Sequence, residues 1–193
     1  MTGGDLIRTN TTVEAHVYDI DYSTTWDWRP WQVQLDIGAR IANIEQRYES
    51  TVTLAGVPVA TGTFAADFRG AGPQVGLEAK RSLSSRRPLC VFASTNVALL
   101  VGEHDVSSAN SFGGGAFVAG QATSQRRTIP VLETELGATW QITDSFELSA
   151  GWLFHAWHDL GASGGTFGGF FVGSDDANTM SFDGLLLRAM YLR

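Results

Sequence analysis

His155 and His158, followed by Asp159, form the part of this chain that most resembles a set of metal ligands. On a strand, residues three apart point to opposite faces, so an extended segment would separate the two imidazoles. Ser149, His155 and Glu147 have the residue types of a hydrolytic triad and share one parity, but no oxyanion donors can be identified beside them. The glycine-rich run Gly161–Gly169 lacks the lysine and the preceding parallel strand of a phosphate cradle, and is expected to be an outer loop. Arg126 and Arg127 are placed to meet lipid phosphates or simply to be solvated at a rim. Cys90 is the only cysteine, which excludes an internal disulfide and a multi-cysteine zinc site. No catalytic residue, metal or cofactor is expected.

A second set is more coherent. Asp36, Arg40, Glu78, Lys80, Glu133, Glu135, Glu147 and Arg188 comprise five acids and three bases, and each lies on the polar face of an alternating segment. Facing water inside a barrel, such side chains line a pore and set its ion preference. In a narrow barrel they would instead pair into a plug that conducts nothing.

The elements that position them follow from a period of two. Trp31, Val33, Leu35, Ile37, Ala39 and Ile41 alternate with Gln32, Gln34, Asp36, Gly38 and Arg40, giving a strand with one apolar and one polar face. The phase slips after Ile41 and resumes at Ile44, Gln46 and Tyr48, as a bulge or a lipid-to-water boundary would produce. Pro130 to Ile142 and Phe146 to Ala156 repeat the rule on either side of a turn at Thr143–Ser145. Weaker copies at Val13–Tyr22, Gln74–Arg81, Leu89–Val101 and Gly184–Arg193 bring the expected strands to seven. The connections Ser82–Arg87 and Thr143–Ser145 are short, whereas Val106–Gln125 and Asp159–Thr179 are predicted to be long loops. Trp26, Trp28, Trp31, Trp140 and Phe146 gather at the short-turn end, as an interfacial aromatic belt requires.

Composition agrees with a folded, all-β domain spanning residues 1–193. The chain is 44% hydrophobic and 17% charged, too apolar for disorder, and its net charge of −7 argues against nucleic acid as a partner. The longest apolar stretch, Leu89–Val101, is broken by Ser94, Thr95 and Asn96 and falls short of the roughly 18 apolar residues that mark a membrane helix. The opening residues lack the pattern of a signal peptide. Period two alone also fits a soluble lipid-binding barrel with its apolar face inward. The asymmetric loops, the mixed charge on the polar face and the terminal aromatics favour an antiparallel transmembrane barrel. Single-chain bacterial barrels have even strand numbers, so seven strands lead to the expectation of at least one more before Thr12, with residues 1–11 disordered or a remnant of it.

The strings GARIANIEQRYES (Gly38 to Ser50), FRGAGPQVGLEAKRSL (Phe68 to Leu83), FASTNVALLVGE (Phe92 to Glu103), VLETELGATW (Val131 to Trp140), LSAGWLFHAWHDL (Leu148 to Leu160) and FDGLLLRAMYLR (Phe182 to Arg193) carry a resemblance. Together they resemble the Legionella-type major outer-membrane-protein-like family of pore formers, particularly its planctomycete branch. The likeness runs over nearly the whole chain from Thr12. It implies an outer-membrane barrel for passive diffusion of small solutes or ions, with outer-membrane lipid as its surroundings and no cofactor. It also implies a secretory signal, further sequence and a terminal aromatic residue, whereas this chain ends at Arg193; an N-terminally truncated member is expected. A closed barrel serving as a structural anchor or adhesion module is the alternative.

Overall fold

The computed structural model describes residues 6–83, 89–115, 117–143, 145–167 and 170–191. Seven strands form one antiparallel sheet in sequence order: β1 (Leu6–Trp28), β2 (Trp31–Leu54), β3 (Val57–Ser82), β4 (Leu89–Phe112), β5 (Phe117–Thr143), β6 (Phe146–Phe167) and β7 (Phe170–Tyr191). Each expected strand is present, and each is longer than the alternation suggested. The first reaches back to Leu6, which pairs with Thr53, so residues 6–11 are rungs of β1 rather than disordered. Where the long loops were expected, β4–β5 and β6–β7 run on as ladders, with a single 3₁₀ turn at Gly113–Gly115 between the first pair. Backbone pairing needs no apolar side chains, so Ser, Asn and Gly continue a strand once a neighbour supplies the partners. The tip of the run Gly161–Gly169 lies outside the described residues, as do 84–88 of the connection after β3.

The turns match their sequences. Ala55 and Gly56 join β2 to β3 with φ of 49° and 82°, the two positive values of a type I′ hairpin. At the other end Ser82 N–H donates to the Pro30 carbonyl at 3.1 Å, tying the β1–β2 turn to the end of β3.

Apolar side chains face outward. Ile20, Tyr22, Leu185 and Leu187 are 73, 76, 70 and 68% exposed, and Ile37, Val75, Val97, Leu136 and Trp152 share that convex surface. A soluble barrel would turn this face inward; a contiguous apolar exterior of this extent requires lipid. The stretch Trp31–Ile41 matches the roughly 9–11 residues that a tilted strand needs to cross a bilayer.

The outer limit of this band follows one hydrogen-bonded row. Tyr18, Ile41, Ala71 and Val101 are successive partners across β1–β4. Two residues further along each strand, the outward positions are His16, Asn43, Arg69 and Glu103, which also form one row. The ladder through Ile41 is unbroken, and β2 shows no register shift before Val52. The change of phase is therefore the lipid boundary and not a bulge.

At the opposite end Trp28 pairs with Trp31, and Trp26, Trp31, Trp140 and Tyr191 are exposed. The Arg81 guanidinium lies 5.3 Å from the centre of the Trp31 ring. Trp26, Trp28, Trp31 and Trp140 are members of the aromatic girdle read from the sequence, and Tyr191, paired with Phe146, joins them.

Candidate functional site: the concave face

The sheet curls tightly enough for non-neighbouring strands to touch. Gln46 on β2 donates to the Leu160 carbonyl on β6 at 2.9 Å, across the concavity. Several glycines on the inner parity permit close approach of the strands, because a Cβ at Gly38, Gly72, Gly102 or Gly137 would come within 2.5 Å of a backbone oxygen of the next strand. Gly137 and Gly151 are direct partners, and a Cβ on Gly137 would meet the Phe92 ring at 2.8 Å. Phe92, itself paired with Gly137, covers that gap.

All eight charged residues singled out from the sequence lie on this concave side. Arg40 is the centre of the largest group: its Nε and Nη2 donate to Asp19 at 2.8 and 2.7 Å, and Nη2 also reaches Glu133 at 3.3 Å. Its side chain is 4% exposed, so two carboxylates balance one buried cation. His155 Nε2 lies 3.8 Å from Glu133. Beside this group Gln74 donates to Asp21. Arg188 Nη2 is shared between both oxygens of Glu135, at 3.2 and 3.3 Å. Lys80 pairs with Glu78 at 2.9 Å, and Asp36 accepts from Gln34 at 2.9 Å.

Two open spaces adjoin these groups. A small one of about 140 Å³ is bordered by Asp36, Glu78, Glu133, Glu135 and Arg188. A larger one of about 930 Å³ opens at the short-turn end, bordered by Asp27, Trp31, Lys80, Cys90 and Glu147 among others. Cys90 is a free, half-buried thiol at this mouth.

The other chemistry-bearing residues separate. His158 is exposed and lies 3.1 Å from Thr179 Oγ1, while His155 faces inward, so the two histidines diverge as the strand reading required. Among the described residues no group of three or more potential ligands is close enough for a metal. Ser149 shares a 2.8 Å hydrogen bond with Thr139 and is six residues, roughly 20 Å of strand, from His155. Arg127 donates to the Asp159 carbonyl at 3.2 Å; Arg126 is exposed.

The sequence reading missed Asp19 and Asp21. Their signal was present in β1, where Tyr18, Ile20 and Tyr22 alternate with both aspartates. It also missed an apolar cluster on the concave face, in which Ile44, Phe68, Leu100, Ile129, Trp157 and Leu160 are at most 1% exposed. Ala156, expected outward, is 2% exposed, next to the irregular β6–β7 pairing between Trp157 and Gly161.

An apolar exterior, an aromatic girdle and a charged concave face on an antiparallel sheet define a bacterial outer-membrane protein of the β-barrel class. The family model described as Legionella pneumophila major outer membrane protein precursor matches residues 19–192, and the chain belongs to that family. No curated protein and no solved structure matches it.

Proposed function

We propose that this chain forms the wall of an outer-membrane pore through which small solutes or ions diffuse passively. The observation that supports this most is the placement of Asp36, Glu78, Glu133, Glu135 and Arg188, from four strands, around one open space on the concave side. Charge facing a lumen favours hydrated solutes. No covalent chemistry is assigned to it, and the protein acts without a cofactor. The short-turn end faces the periplasm and the strand extensions face the exterior.

A second reading is favoured by one feature. Arg40 bridges Asp19 and Glu133, and the apolar cluster fills the concavity beside it, as in a closed barrel used as an anchor. Planar-bilayer recordings on protein extracted from outer membranes separate the two. Stepwise, ohmic conductance supports the pore; folded, inserted protein with no conductance supports the anchor.

A further inference from the structure

Inward-facing side chains change character along β2, β4 and β5. Toward the strand extensions, β2 passes from Arg40 to Ala42 and Ile44, β4 from Asn96 to Ala98 and Leu100, and β5 from Glu133 to Val131 and Ile129. On β6 His155 is followed by Trp157, and the rings lie 5.2 Å apart. Ile44, Leu100 and Ile129 are 0% exposed and Trp157 1%, although they lie on the face that should be wet. Lipid cannot account for this, since these residues point away from it. They belong to one cluster of buried apolar side chains that pack against one another across the concavity.

We propose that this layer, with Trp157 as its largest member, is the barrier of the conducting path: a dry apolar constriction in series with the Arg40 ion-pair group. The inference rests on the pore reading above. Water and ions entering from the short-turn mouth meet fixed charges first and then a surface that offers no hydrogen bonds. An ion must shed its hydration to pass a dewetted constriction, whereas a weakly hydrated neutral solute loses little. The layer therefore discriminates by hydration, and the charges before it discriminate by sign.

Two substitutions test this in different ways. Trp157→Ala removes bulk, while Val131→Thr, at a position 1% exposed, adds a hydroxyl at nearly constant volume. Each is extracted from outer membranes, checked for unchanged heat-modifiable migration and recorded in planar bilayers beside the unaltered protein. Several-fold larger ion conductance in both is expected, with Trp157→Phe close to the unaltered value. Should Trp157→Ala alone raise conductance, the layer is a steric plug and dewetting is wrong. Unchanged conductance in both variants of a conducting protein overturns the constriction and leaves the pore standing. Silence in all forms, folded and inserted, overturns the pore reading itself.

Discussion

Arg40 on β2 and Glu133 on β5 are three strands apart in the sheet, yet their side chains meet at 3.3 Å. Their contact measures how strongly the sheet curls, and it joins the most buried cation of the described residues to the acidic side of the concavity. Removing one partner of such a group leaves charge without compensation in a poorly hydrated place.

Arg40→Gln should accordingly destabilise the folded protein by about 3 to 5 kcal/mol, because Asp19 and Glu133 would then face each other unneutralised. Urea unfolding in detergent, followed by tryptophan fluorescence, measures the loss. Adding Asp19→Asn and Glu133→Gln to the same chain should restore much of it. A triple variant as weak as the single one would show that shape, not charge, is what Arg40 supplies.

Orientation is tested on β5. Leu136 is 58% exposed on the convex face and Glu135 is 9% exposed on the concave face. A spin label at Leu136 should be quenched by lipid-borne reagents, and one at Glu135 by water-soluble ones. Leu136→Arg should cost about 2 to 4 kcal/mol near the bilayer midplane. The opposite quenching pattern would invert the barrel and overturn the membrane assignment.

The β1 and β7 edges are not paired to each other among the described residues. Both strands run in the same direction, so joining them would need a parallel ladder in an otherwise antiparallel sheet. Within lipid an open edge leaves N–H and C=O groups unsatisfied, at several kcal/mol each. These 193 residues, refolded alone into detergent, are expected to associate into oligomers or aggregates. A sharp monomeric peak by light scattering, with heat-modifiable migration, would contradict that.

Ion preference follows from pairing as well as from count. Glu133 and Glu135 are held by Arg40 and Arg188, whereas Glu147 borders the large mouth without an ion pair among the described residues. Weak cation preference is expected at low salt, falling as salt shortens the Debye length. Glu147→Gln should lower it, and Glu133→Gln with Glu135→Gln should lower it further by releasing two cations. Reversal potentials across a salt gradient read this directly; anion preference in the unaltered protein would exclude these acids from the conducting path.

Strand number and facing were legible in the sequence because lipid penalises every polar residue on the outer side. From Trp31 to Ile41 that penalty enforces strict alternation. Beyond Ile41 it vanishes, so Asn43, Glu45 and Arg47 occupy outward positions and the pattern dissolves while the hydrogen bonds continue. For this reason a change of solvent was legible only as a change of phase, and the outer halves of β4 to β7 as loops. The eight inner charges were legible from parity alone. Their partners were not, since the approach of β2 to β5 depends on curvature that no local pattern encodes. The apolar cluster escaped for a related reason: Ile44 and Leu100 are ordinary strand residues until the sheet rolls up and sets them face to face.

The ladder that outlasts the lipid boundary has a mechanical consequence. From Ile41 to Leu54 the chain climbs roughly 40 Å at about 3.3 Å per residue, cross-linked to β1 and β3 along most of that distance. Among the described residues, the part beyond the lipid boundary is thus a hydrogen-bonded collar and not a fringe of loops. Whatever approaches this end meets, among the described residues, a rim whose contour is set by backbone hydrogen bonds.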